Sequence, residues 1–381
     1  MEPVLPTVVW LHVSPDIDAM VVEQLCEAIL DKAPAVEFVL TRTGDAPVAF
    51  KELGSTAVLP DANATMVKAF VDQWKPVVGL WLDSQLNSVV LRGCTANAVP
   101  LHLVDTGHAA QAARGGFMRR IVGSVPLRHF LSITVGSLGV QRALLRAGAN
   151  SATMSALGML EQVEPCLPVN AGERDHFSQL LSTRPIWLAA NANLEELDAI
   201  MEAHARILRR AHRLILVLVP ANLNDSDEMA VKLRGLDTNF ARRSEGEEPT
   251  SETHVFLADT ADELGLWFRV APVSFLGQTM AGPQDASPHP FEAAALGSAM
   301  VHGPNTGVHA LAYERLARVQ ASRVVADLDG LAFAVETMLA PDVAAQMAHA
   351  AWQTSTAAAQ VMDHVSDLAV QHLPISGRLA P

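Results

Sequence analysis

The sequence predicts an α/β chain made of two doubly wound, Rossmann-like lobes, and three observations carry that prediction. Short apolar runs of strand length alternate with segments of helical periodicity, the pattern that parallel βαβ units leave in a sequence. The alternation occurs twice, on either side of a polar connector from Cys166 to Thr183 that contains Pro168 and Gly172 and has few apolar residues to bury. Many of the runs end in polar or acidic residues, as at Asp83-Ser84-Gln85, Asp105-Thr106-Gly107, Asp259-Thr260 and Gly277-Gln278. Open α/β sheets bind ligands outside the carboxyl ends of their strands, so these ends are where chemistry is expected.

In the first lobe, Val8 to Val13 reads as a buried strand, followed by the loop Ser14-Pro15-Asp16-Ile17-Asp18 and an amphipathic helix from about Ala19 to Leu30. Glu37 to Thr41, Thr56 to Leu59, Val77 to Leu82 and Val99 to Val104 supply four more strands. The stretch from Gly115 to Arg120 and the run Arg128 to Phe130 are basic, and Ser151 to Leu160 reads as one further short unit. His102, inside an apolar strand, is expected to be a satisfied core residue rather than a ligand.

The second lobe opens with a strand from Arg184 to Ala190 that ends at Asn191-Ala192-Asn193. A helix follows from about Glu195 to Arg210, with a basic run, Arg206 to Arg213 beside His204, expected to face solvent. Leu214 to Val219 is the next strand. Val255 to Ala258, Pro272 to Leu276 and Ala299 to His302 complete the set. Thr260 and Glu263 have the spacing of a capping box, which predicts a helix starting near Ala261. Pro290 suits a first helical turn, with Glu292 near that helix's N-terminus. Asp259 to Glu263, Gly277 to Thr279 and His289 to Glu292 are therefore expected to converge on one crevice. On spacing alone a plainer reading stands beside it, in which Glu292 only favours its helix start and His289 is an exposed loop residue. The expected boundaries are 1–168 for the first lobe, 169–345 for the second, and 346–381 for a C-terminal helix and tail.

Composition limits the function. With 381 residues, 50% apolar and 18% charged, the chain has enough apolar material for two cores. A formal charge of -14 argues against a nucleic-acid binder, whose affinity comes from neutralising phosphates. The three cysteines, Cys26, Cys94 and Cys166, lack metal or disulfide spacing and are expected as reduced packing residues. No metal site is expected from the histidines, which do not cluster at ligand spacing. No apolar run is long enough to span a bilayer and no signal-peptide pattern opens the chain, so a cytoplasmic protein is expected, with at most a peripheral membrane contact. GxGxxG, Walker, HExxH and GxSxG motifs do not occur, which removes the common nucleotide-hydrolysing, zinc-protease and hydrolase readings.

Four ordered blocks in the second lobe carry a family resemblance: RPIWLAAN from Arg184, LILVLVP from Leu214, LADTADELGLWFRVAPVSFLG from Leu257 and HPFEAAALGSAMVHGPNT from His289. They resemble the 3-deoxy-D-manno-octulosonic acid (Kdo) transferases of lipopolysaccharide biosynthesis, which are glycosyltransferases of the GT-B fold. WLHVSPDID at Trp10 to Asp18 and KPVVGLWLDSQL at Lys75 to Leu86 resemble the family's first lobe more weakly. The resemblance implies two Rossmann-like lobes facing a central cleft, with acceptor bound by the first and donor by the second. It implies transfer of Kdo from CMP-Kdo to a lipid A precursor, with no cofactor and the nucleotide sugar as substrate.

Aligned from His12, the family's catalytic glutamate falls on Asp18, with Asp16 as the fallback; the plainer reading is that either aspartate caps the following helix. The donor residues implied are Glu292, His289, Thr260, Asp262, Glu263, Gly277, Gln278, Asn191 and Asn193. Arg114, Arg119 and Arg120 are implied on the acceptor side, and with Arg128 they would meet anionic head groups at the inner membrane's cytoplasmic face. The chain departs from the pattern where the family carries Arg-His-Pro-Glu and it has Ala221-Asn222-Leu223-Asn224. Two alternatives stay open: a diverged paralogue that binds nucleotide or glycan without transfer, and a GT-B enzyme using another nucleotide sugar.

Overall fold

The computed structural model describes residues 7–42, 54–60, 63–106, 127–146, 149–163, 166–236, 238–282 and 287–374. The chain divides into two compact units, Met1–Val163 with Ala357–Pro381, and Glu164–Thr356. Each is an all-parallel sheet of seven strands covered by helices, the two-lobed α/β class expected from the alternation.

In the first unit the strands are β1 (Thr7–Val13), β2 (Val36–Arg42), β3 (Ser55–Val58), β4 (Val78–Leu82), β5 (Leu101–Val104), β6 (Ser132–Val135) and β7 (Met154–Ala156), in the order β3-β2-β1-β4-β5-β6-β7. The order reverses between β1 and β4, and that switch point is where a doubly wound sheet opens a crevice at its carboxyl edge. β1 reads as an unbroken apolar run because both its faces are covered. Val9, Leu11 and Val13 enter one core with the helix Ala19–Lys32 and with Val361 and Val365. Val8 and Trp10 enter the opposite core with Phe70, Trp81 and Val90. The helix Pro341–Val370 thus belongs to the first unit from Ala357 onward.

Polar contacts lock this unit where apolar packing ends. Gln24 exchanges two hydrogen bonds with the backbone of Val163, each 2.8 Å. His102 is fully buried, with Nδ1 against Ser132 Oγ at 2.6 Å and Nε2 against His372 Nε2 at 2.9 Å. It is the satisfied core histidine the sequence predicts. Burial first, then the neighbouring His372 and His364, pushes its pKa down to about 4.

In the second unit the strands are β8 (Ile186–Ala192), β9 (Ile215–Pro220), β10 (Phe240–Arg242), β11 (Val255–Leu257), β12 (Val273–Leu276), β13 (Ala299–His302) and β14 (Ser322–Val324), in the order β10-β11-β9-β8-β12-β13-β14. Its switch point lies between β8 and β12. Trp187 and Ala189 face one core and Ile186, Leu188 and Ala190 the other, the period of two that a covered strand requires.

Two expectations need correction here. Cys166 is exposed, with its sulfur 3.5 Å from Arg269 Nη2, while Cys26 and Cys94 are buried as packing residues. His204 is buried and accepts the Trp187 indole N–H at 3.1 Å, so it belongs to the core rather than to the basic face. The neighbouring arginines do face outward, Arg206 pairing with Glu202 and Asp329 and Arg210 with Glu336. Among the described residues no helix is long and apolar enough to cross a membrane.

Candidate active site

At the switch point of the first sheet, the loop after β1 is pinned on both sides. Ser14 N–H donates to Leu82 O at 3.1 Å, and the Arg42 guanidinium donates to Pro15 O. Asp18 closes this loop as the N-cap of the helix Ala19–Lys32, its Oδ1 accepting Met20 N–H at 3.0 Å. The residue is exposed. Asp16 is also exposed, and its N–H meets Ser14 Oγ at 3.3 Å.

Beneath the loop lies a buried polar column that the sequence did not single out as a unit. Thr41 Oγ1 accepts the Trp10 indole N–H at 2.8 Å and meets His12 Nδ1 at 2.9 Å. On the other side of the ring, Nε2 faces Asp83 Oδ2 at 3.6 Å. Asp83 Oδ1 accepts Gln85 N–H at 2.8 Å. The column joins the carboxyl ends of β1, β2 and β4. Arg114, Arg119 and Arg120 lie outside the described residues. Arg128 is exposed.

In the second unit, Gly277 presses on the backbone of β8: a Cβ there would stand 2.4 Å from Asn191 O. This close approach requires glycine. Asn191 and Gln278 both take left-handed backbone, with φ of 54° and 60°, so the two strand ends turn away sharply at the switch point. Asn193 ties the same corner, accepting Glu196 N–H at 2.9 Å and donating to Ala281 O at 2.8 Å.

The buried carboxylate of Glu196 is the residue the sequence reading missed here. It accepts the N–H groups of Gln278 at 2.6 Å, Met280 at 2.8 Å and Ala281 at 3.1 Å. Burial lifts its pKa above the ordinary range, and the N–H bonds counter only part of that lift. The sole signal in the sequence was an acid at a helix start, which surface glutamates share.

The Thr260 to Glu263 segment does not form the predicted capping box. The helix begins at Leu264, and Glu263 at its N-cap makes no capping bond. Its carboxylate instead takes the Thr260 hydroxyl and the Arg243 guanidinium, at 3.1 and 2.8 Å for the latter. Asp262 sits at a φ of 59°, which interrupts helical winding before Leu264. Asp259 is buried and accepts Arg242 Nε at 2.6 Å, Ser244 N–H at 2.9 Å and Ser244 Oγ at 2.8 Å. Burial pushes its carboxyl up, but the Arg242 and Ser244 bonds outweigh that and hold it below the usual carboxylate range.

The helix Pro290–Ala295 starts as expected at Pro290, with His289 as N-cap accepting Phe291 N–H through Nδ1 at 3.2 Å. Glu292 lies in its first turn, and its charge adds to burial in raising the pKa of Tyr313. Asn191 and Gly277 are thus in direct contact, and Asn193 and Gln278 are joined through Glu196. Thr260, Asp262 and Glu263 follow β11, two strands away from β8, and His289 and Glu292 open the helix that leads into β13. Among the described residues no group of three or more His, Cys, Asp or Glu is arranged to hold a metal ion.

Residues 2–161 match the family model of the 3-deoxy-D-manno-octulosonic-acid transferase N-terminal domain. A curated Kdo transferase from Rickettsia bellii is 22% identical over 306 residues, which are 78% of this chain and 71% of the relative. One from Haemophilus influenzae is 30% identical over 157 residues, 41% of this chain and 36% of the relative. Over residues 2–161 the chain carries the N-terminal domain of the Kdo transferase family.

This chain spans about two thirds of the length of several curated Rickettsia relatives, 64% for the one from Rickettsia felis. Among solved structures, the C-terminal CMP-Kdo binding domain of WaaA from Acinetobacter baumannii is 22% identical and covers 49% of this chain and 98% of its own, at a TM-score of 0.44. The fold assignment rests on the strand orders of the two sheets. In the loop after β9, Ala221 N–H donates to Ala192 O at 2.8 Å and the Asn222 side chain caps Asn224 N–H at 3.0 Å, so Ala221 to Asn224 is ordered by neutral groups.

Proposed function

We propose that this protein transfers Kdo from CMP-Kdo to a lipid A precursor in lipopolysaccharide biosynthesis, working from the cytoplasm at the face of the inner membrane. The observation that carries the reading is the curated alignment over 78% of the chain, which reaches into both units. In this reading Asp18 takes the proton from the acceptor hydroxyl as its oxygen attacks the anomeric carbon of Kdo, and CMP leaves with the bonding pair. The loop pinned by Ser14 and Arg42, which Asp18 closes as a helix N-cap, supports that role. The second unit takes the nucleotide, with Glu292 accepting from ribose hydroxyls and the glycine at 277 admitting the donor close to the backbone. Arg114, Arg119, Arg120 and Arg128 are assigned to the phosphates of the acceptor.

The test is CMP release from CMP-Kdo in the presence of a tetra-acylated lipid A precursor. Asp18→Asn is the informative variant, because asparagine caps a helix as well as aspartate does and leaves the fold intact. Turnover should fall by about 100-fold or more, the scale of a lost general base, with CMP affinity unchanged. No release by the unaltered protein would sink the transferase reading, and normal turnover in Asp18→Asn would remove the base assignment.

A further inference from the structure

We propose that Arg242 is an anion-binding fork held in reserve, which Asp227 and Glu245 occupy until a phosphate group displaces them. The proposal rests on the donor reading above for the identity of that phosphate, the one that joins nucleoside to sugar.

Arg242 is the last residue of β10 and pairs in register with Leu257 at the end of β11, which places it on the ligand-binding edge of the sheet. Its guanidinium is anchored from the inside. Nε donates to Asp259 at 2.6 Å, and the Asp259 side chain is 1% exposed. Asp259 is fixed in turn by the Ser244 N–H and hydroxyl.

The outer face of the same guanidinium is closed differently. Nη2 meets Asp227 at 2.8 Å and Nη1 meets Glu245 at 3.3 Å, and these carboxylates are 88% and 50% exposed. Arg242 itself is 14% exposed, so only the carboxylate ends of these pairs stand in water, where solvent takes up a carboxylate that swings away. A phosphate can take both outer nitrogens at once in the planar geometry that a guanidinium offers. Exchange therefore needs only rotamer changes at two surface carboxylates, while the inner bond to Asp259 stays made. The neighbouring Arg243 is not of this kind. It lies over the Phe177 ring at 4.9 Å, and its partners Glu173 and Glu263 are 39% and 24% exposed, so its bonds hold segments of the unit together.

The experiment measures binding of CMP, cytidine and inorganic phosphate to the full chain by calorimetry, for the unaltered protein, Asp227→Asn and Arg242→Gln. Asp227→Asn is the decisive variant, since a side chain that exposed can be changed without unfolding anything. It removes a competitor for the fork, so CMP and phosphate should bind about three- to tenfold more tightly, with cytidine unaffected. Arg242→Gln should erase the preference for CMP over cytidine, a loss of about tenfold or more for a charge-assisted pair. Unchanged CMP and phosphate affinity in Asp227→Asn, or an equal gain for cytidine, would overturn the proposal, as would an unaltered protein that binds neither CMP nor phosphate. If CMP binds and is released normally in the transferase assay while both variants behave like the unaltered protein, only the Arg242 assignment falls. If the phosphate response appears but CMP-Kdo is never turned over, the fork stands and the transferase reading falls.

Discussion

Replacing Asp259 with asparagine tests whether the β10–β11 corner is held electrostatically. The carboxylate accepts three hydrogen bonds, from Arg242 Nε, Ser244 N–H and Ser244 Oγ. Asparagine keeps one acceptor oxygen and turns an NH2 toward a donor, so at least the charge-assisted bond to Arg242 is lost. That bond is worth about 1.5–3 kcal/mol, and removing one partner of a fully buried pair costs about 3–5 kcal/mol. Arg242 keeps Asp227 and Glu245, so the cost should lie near the lower figures, about 2–3 kcal/mol. The sign of the pH dependence follows from the depressed pKa. Asp259 contributes stability that is fully present above the unfolded carboxylate value, about 4, and is lost as pH falls through its lower folded value. Urea denaturation at pH 7 should show the full difference between unaltered protein and variant, and the difference should begin to shrink below about pH 4. Hydrogen exchange at the amides of Arg242 and Ser244 should speed up in the variant. A cost under about 0.5 kcal/mol, the range of an ordinary surface substitution, together with unchanged exchange at those amides, would refute the reasoning.

Three other outcomes are expected. Gly277→Ala places a Cβ 2.4 Å from Asn191 O and 2.8 Å from Ala192 Cα, both backbone atoms that cannot step aside. It should destabilise the second unit by about 1–3 kcal/mol, read as a lowered melting temperature. Thiol labelling of the folded protein at pH 8 should modify Cys166 quickly and leave Cys26 and Cys94 untouched until denaturant is added, since those two are buried and burial first pushes each thiol up to about 12. Glu292→Ala should weaken CMP binding by about tenfold, the worth of a charge-assisted bond, with the melting temperature of the unliganded protein little changed. Equal binding by this variant would remove Glu292 from the donor site.

The strands with both faces covered were legible because burial on both sides leaves no polar alternation to hide them. Val8 to Val13, Leu214 to Val219 and Val255 to Ala258 read as strands for that reason. β6, β7, β10 and β14 were not picked out. Each is three or four residues long, and β14 and β10 are edge strands in which Ala241 alone is buried, so neither carries an apolar run. The return of the chain at 356/357 into the first unit has no sequence mark either, because the helix Pro341–Val370 continues through it unbroken. At the site, local spacing located the right segments but misjudged how their acids are used. Thr260 and Glu263 satisfy a capping box in sequence, yet Arg243, twenty residues earlier, takes the Glu263 carboxylate and the helix starts later.

That misjudgement has one physical source. A capping-box bond is a choice among neighbours three residues apart, whereas an ion pair is settled by whichever cation the fold delivers, and the sequence does not show the delivery. Around β10 and β11 the fold delivers Arg242 and Arg243 to Asp227, Glu245, Asp259, Glu173 and Glu263. Among these seven groups the acids outnumber the arginines, so the anionic donor proposed above would meet negative charge here. A ligand phosphate cannot simply be added to such an edge, because like charges at these separations repel. It can be exchanged for a carboxylate already there, provided that carboxylate reaches water when it leaves. Asp227 and Glu245 meet that condition and Asp259 does not, which is why the fork opens outward and the anchor holds.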